Sequence, residues 1–327
     1  GRPRGPEGVG GDGGRMSIDD AVATPGSYGE ASSQGALPAA TTIGVTVLQV
    51  SDLTRSIAFY ERVLGLRVLH RRDEPAGERV ALGVPMATMP LLELRGGRAG
   101  GPTIRSAGRG RLGLFHFAVL LPDRPSLGRF VRHLASLGVP AGAGDHLVSE
   151  AFYLSDPDGL GIEVYADRPR DAWRRVGREL VMGTEAVDTP ALVAAAGATP
   201  WAGMPTGTVM GHLHLHVGDL ARASAFYHET LGLDRMVWSY PGALFLAAGG
   251  YHHHLGTNIW AGPAARPAPE DEARLLEWGL VLPTAAAVDE VAGRLARAAA
   301  PVMREGVVGD VVTRDPWGTA LRISAAY

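Results

Sequence analysis

The chain has 327 residues, 46% of them hydrophobic, enough to bury one large core or two of ordinary size. Its 31 basic and 34 acidic side chains leave a net charge of −3, which gives no electrostatic footprint for nucleic acid or an anionic membrane surface. There is no cysteine, which excludes disulfides, thiolate metal sites and cysteine nucleophiles, and no apolar run approaches the ~20 residues of a membrane span. Any metal must use His, Asp or Glu, a donor set that favours Fe(II), Mn(II) or Zn(II). The N-terminus lacks a signal-peptide pattern, so the expected location is the cytoplasm.

Residues 1–40 are rich in Gly, Ser, Pro and Ala and almost without apolar periodicity. Such a segment buries too little surface to offset its ordering entropy, and the composition predicts a disordered leader, with Met16 a candidate natural start. From Thr42 onward the chain repeats itself. Residues 43–66 (IGVTVLQVSDLTRSIAFYERVLGL) and 210–233 (MGHLHLHVGDLARASAFYHETLGL) share one plan. Each has an alternating strand, an Asp-Leu helix start, an amphipathic helix carrying Ala-Phe-Tyr, and a Leu-Gly-Leu stop. More divergent copies begin at Leu112 and Leu275 and end in YLSDPDGLGIEVYAD and VTRDPWGTALRIS. The unit is one strand, one helix and three strands, four times over. The predicted fold is α+β, divided into a first domain over 41–168, a linker over 169–207 and a second domain over 208–327.

Within the second copy, residues 144–163 read GDHLVSEAFYLSDPDGLGIE. An Asp-Pro-Asp-Gly turn joins two strands, and Glu163 lies between Ile162 and Val164, where a buried carboxylate is costly unless paired or bound to metal. This run resembles the signature of type I extradiol ring-cleaving dioxygenases. The βαβββ repeat over roughly 42–325 resembles that of the vicinal oxygen chelate superfamily, which includes glyoxalases, bleomycin-resistance proteins and these dioxygenases. The resemblance implies paired modules curving around a cleft with a metal at its floor.

In that superfamily the ligands come from the first and last strands of each module. The first-strand positions here are Val45, His116, His212 and Glu277. The last-strand positions are Glu93, Glu163, one residue of His252–His254, and Arg322. Pairing the second module with the third brings His116, Glu163 and His212 together, the two-imidazole, one-carboxylate set of non-haem iron oxygenases. It leaves Glu93 and Glu277 to oppose Arg322 in the other pair. His214 and His216 share a face with His212 by the two-residue strand period and are expected to support the site or pack in the core. His70, His133 and His228 are expected to be ordinary.

Ring cleavage also requires protons to be moved in a dry pocket. The resemblance assigns that role to the run Gly249–His254, with His253 the expected acid–base group and His252 or His254 the alternatives. It makes Tyr153 a hydrogen-bond donor to the substrate oxygen and His146 a group that stabilises oxygen-derived charge. The expected activity is Fe(II)-dependent extradiol cleavage of a catechol-like aromatic with O2, with Mn(II) the second choice of metal. Whether the chain forms a homo-oligomer is left open. Two rivals share the fold: a metal-dependent glyoxalase-type isomerase or lyase, and a metal-free bleomycin-resistance-like binding protein.

Overall fold

The computed structural model describes residues 21–98, 100–306 and 309–326. The first module supplies β1 (Thr42–Gln49), β2 (Arg67–Glu74), β3 (Gly77–Gly83) and β4 (Leu92–Arg95). The second supplies β5 (Arg111–Leu120), β6 (Gly142–Asp145), β7 (Ser149–Ser155) and β8 (Gly161–Asp167). The third supplies β9 (Val209–His216), β10 (Asp234–Val237), β11 (Ala243–Ala247) and β12 (Leu255–Asn258). The fourth supplies β13 (Arg274–Leu282), β14 (Met303–Glu305), β15 (Asp310–Arg314) and β16 (Ala320–Ala325). After each first strand comes a helix: α1 (Leu53–Phe59), α2 (Arg124–Leu137), α3 (Leu220–Ala223) and α4 (Ala285–Arg297). In the odd modules it runs on as a π-helical turn, Tyr60–Leu64 and Ser224–Thr230.

Local chemistry sets these boundaries. Asp52, Asp123 and Asp219 each accept the backbone N–H three residues on, and Thr284 does the same for α4. Gly65 ends the first helix in the left-handed region (φ 76), and a Cβ there would lie 2.5 Å from Gly203 Cα. The Ala-Phe-Tyr helices reach into the next module. Tyr60 donates to Asp156 Oδ2 at 3.1 Å, and Tyr227 to Asp315 Oδ2 at 2.8 Å. The other oxygen of each Asp accepts two backbone N–H groups of its own Asp-Pro turn, so one carboxylate shapes the turn and ties two modules.

The strands form two large sheets. One runs β10-β11-β12-β9-β5-β8-β7-β6, with Arg266–Pro267 added beside β5; the other runs β14-β15-β16-β13-β1-β4-β3-β2. The second module thus pairs with the third, through antiparallel β5 and β9, and the first with the fourth, through β1 and β13. Each half of the sequence gives one module to each sheet, so the sheets do not coincide with segments 41–168 and 208–327. A shared apolar core that includes Leu48, Phe117, Val119, Phe130, Leu215, Leu280 and Leu295 joins one face of both sheets to the helices. The opposite face of the β5–β9 sheet carries the polar site.

The leader expectation is corrected for residues 21–40; residues 1–20 lie outside the described residues. Ala21–Val22 pairs with Arg174–Val176 in a small sheet. Tyr28 is buried and donates to Gly250 O at 2.6 Å, and Leu37 is buried with its N–H on Gly232 O. The segment lacks periodicity because it is held by single anchors and backbone bonds, not by an amphipathic element. Nor is 169–207 a bare linker: it carries the helix Thr189–Ala195 and the fully buried Trp173. Among the described residues no helix is long and apolar enough to cross a membrane.

Deleting residues 21–40 is therefore expected to destabilise the fold. Burying a large apolar side chain contributes about 1.5–3 kcal/mol, so losing Tyr28 and Leu37 alone removes roughly 3–6 kcal/mol. Chemical denaturation checks this, and an unchanged midpoint would show that these anchors carry no weight.

Candidate active site

The register of the β5–β9 sheet assembles the site. Across β5 and β9, His116 opposes His214 and Ala118 opposes His212, while Ala118 opposes Glu163 on parallel β8. Alternation then puts His116, His212, His214 and Glu163 on one face. A register shift between His214 and Leu215 leaves Phe115 without an opposite residue, and its ring centroid comes 5.0 Å from that of His116.

Nε2 of His116 and Nε2 of His212 both converge on Glu163 Oε2, at 3.0 and 3.2 Å. One donor atom from each of the three lies within 4.8 Å of the others, and all three residues are buried. Burial opposes the Glu163 charge, but His212 and His116 outweigh it and hold the carboxyl well below its usual range. Burial pushes His212 down to about 4, against the pull of Glu163. At neutral pH the set is an ionised carboxylate and a neutral His212.

The donors fit a divalent cation. Nε2 of His116 is buried beside the carboxylate yet makes no hydrogen bond, and Nδ1 of His212 is buried without a partner. Unsatisfied buried nitrogens of this kind are costly, and a cation among the three groups uses the His116 lone pair directly. His116, Glu163 and His212 are the residues that would hold it.

The structure brings His146 and Tyr153 together. His146 Nδ1 donates to Gly183 O at 2.7 Å, which leaves Nε2 to accept from the Tyr153 hydroxyl at 2.5 Å. The Tyr153 hydroxyl therefore donates its hydrogen bond to His146 in this arrangement. Burial, and then the nearby Glu163 carboxylate, raise the Tyr153 pKa well above its usual value, so it stays a phenol. Tyr153 is the Cα partner of Glu163 across β7 and β8, which puts its ring beside His116 at 5.5 Å.

The three consecutive histidines do three different things. His253 lies with its ring centroid 4.0 Å from that of His212 and 5.0 Å from Phe245, and burial pushes its pKa well down. His252 is fully buried and bonds Asp167 and His253. His254 accepts the Ala248 N–H at Nδ1, holding the loop, and burial lowers its pKa to about 3. The sequence alignment of this module needs correction, because the position matching Glu163 is Gly256, the Cα partner of His214, and the His run lies in the loop before β12. A Cβ at Gly256 would lie 2.9 Å from His214 ring atoms, so glycine makes room for that ring.

His214 is buried among His116, Phe115, Phe245 and Trp260 with Nε2 unpartnered, and the alternation in HLHLHV was its sequence signal. Asp167, Tyr165 and Tyr251 carried no such signal. A cavity of about 730 Å3 touches the site at His116 and Tyr153, with Trp260 and His216 also in its wall. Glu163, His212 and His253 lie outside that lining, so the cavity reaches the site from one side. In the other sheet Arg322 forks onto Glu277 at 2.7 and 3.2 Å, as expected, but Glu93 pairs with Arg79 at 3.3 Å and not with Arg322.

Comparison with known proteins agrees with this architecture. A Bacillus subtilis (strain 168) protein named catechol-2,3-dioxygenase is 46% identical over 267 residues, covering 79% of this chain and 88% of that protein. Among solved structures, a Bacillus subtilis protein provisionally described as a dioxygenase superposes with TM-score 0.60 at 13% identity, covering 87% of this chain and 84% of that one. Glyoxalase I from Zea mays superposes with TM-score 0.52 at 16% identity, covering 87% and 92%. At these identities the two structures speak to the fold alone. A family model matches residues 42–164 and 209–323, and by that match the chain belongs to the Glyoxalase/Bleomycin resistance protein/Dioxygenase superfamily.

Proposed function

We propose that the protein is an extradiol ring-cleaving dioxygenase acting on a catechol-like aromatic with O2, with Fe(II) held by His116, Glu163 and His212. The convergence of two imidazoles on one buried carboxylate oxygen carries this reading, and the relative named catechol-2,3-dioxygenase supports it. Fe(II) held there supplies open coordination positions and redox chemistry for a catecholate and dioxygen. His253, against His212, takes and returns the ring hydroxyl proton. Tyr153 and His146 orient the oxygen substituents, the Tyr153 hydroxyl turning its hydrogen bond from His146 to the substrate oxygen when one binds. Burial of Glu163, His212 and His253 limits the access of competing water to them.

A glyoxalase-type site needs a fourth protein donor. Among the described residues no further carboxylate joins the three, since Glu93 and Glu277 lie in the other sheet and are paired with arginines. The test is oxygen uptake with catechol by protein loaded anaerobically with Fe(II), followed by absorbance of a yellow semialdehyde product. One O2 consumed per catechol is the expected result. A loaded protein that binds catechol but consumes no oxygen would remove the dioxygenase reading.

A further inference from the structure

Asp167 and His252 stand behind His253, and their contacts fix where protons lie. His252 Nε2 is 2.9 Å from Asp167 Oδ1, and His252 Nδ1 is 2.7 Å from His253 Nδ1. A carboxylate only accepts, so His252 donates from Nε2. A neutral imidazole has one N–H, so His252 Nδ1 offers a lone pair and the hydrogen in the 2.7 Å contact belongs to His253. That leaves Nε2 of His253 without a hydrogen. Asp167 is itself anchored, because Tyr251 donates to the same oxygen at 3.2 Å. Tyr251 then accepts from the Tyr165 hydroxyl at 2.7 Å. Gly211 permits this, since a Cβ there would lie 1.9 Å from the Tyr165 hydroxyl. His252 is 0% exposed, so water does not compete for its nitrogens.

We propose that Asp167 and His252 are positioning residues that hold His253 in the Nδ1–H tautomer, which leaves its Nε2 as the lone-pair nitrogen. The role given to His253 rests on the dioxygenase reading, but the tautomer can be measured apart from it. Nitrogen NMR of the full chain, labelled at histidine and loaded with Zn(II), separates Nδ1–H, Nε2–H and imidazolium forms. The expected spectrum has Nδ1–H on His253 and Nε2–H on His252. Nε2–H on His253, or a doubly protonated His252, overturns the proposal.

Asp167→Asn offers an amide that can donate, which permits the reversed chain. It is expected to give mixed tautomers at His253 and a kcat about 10–100-fold lower, with KM and metal content unchanged. An unchanged tautomer and unchanged kcat in a folded variant also overturn the proposal. If that variant does not fold, the wild-type spectrum decides. The expected spectrum from a protein that turns over no catechol removes the dioxygenase reading and leaves the tautomer assignment standing.

Discussion

Glu163→Ala is expected to leave the chain folded and nearly metal-free, with ring cleavage at background. The carboxylate is the only anion among the three donors, and both imidazoles aim at its one oxygen. Without it two neutral rings remain, which bind Fe(II) weakly. Losing a partner one bond further out typically costs 10–100-fold in affinity, and losing the ligand itself should exceed that. His116→Ala and His212→Ala should follow the same course, while Glu277→Ala in the other sheet should keep its metal. Metal analysis after anaerobic loading decides the matter, and stoichiometric iron in Glu163→Ala would sink the site. The metal-free protein should also show a pH signature. His212 refuses a proton until about pH 4, whereas an unfolded histidine takes one near 6.5. Stability is therefore lost as pH falls through that window, by about 3 kcal/mol if His212 acts alone.

His253→Phe should keep its iron and bind catechol, yet turn over about 10²–10⁴-fold more slowly, the usual contribution of a general acid–base group. Phenylalanine preserves the packing against His212 and Phe245 and removes only the nitrogens. His254→Phe should behave differently. It strips the Ala248 N–H of its acceptor, so the effect should be about 1–3 kcal/mol of stability, not a loss confined to chemistry. Near wild-type turnover in His253→Phe would move the proton-handling role elsewhere, with His146 the next candidate.

Four modules and the meeting of His116, Glu163 and His212 were legible because each carries local signals. The cap aspartates, the Ala-Phe-Tyr helices and the strand alternation recur at matched spacing, and pairing the second module with the third follows from requiring donors to meet. The leader escaped because Tyr28 and Leu37 act as isolated anchors, which no periodicity marks. The third module misaligned because its matching strand position is Gly256, which leaves no chemical trace, while the conspicuous histidines precede the strand. Asp167 escaped because its partner His252 lies 85 positions away and only the fold joins them.

His116 and Glu163 come from one half of the duplicated sequence and His212 from the other, meeting where β5 lies against β9. A cation bound there would be a staple across an internal seam, added to the pairing of β5 with β9. At a hundredfold excess over its Kd such an ion adds about 2.7 kcal/mol against opening. Chelation should accordingly loosen the whole seam and not one loop, and a fragment ending before Val209 keeps only two of the three donors. In this chain a bound metal would add to the strand pairing and shared core that already hold the two halves together.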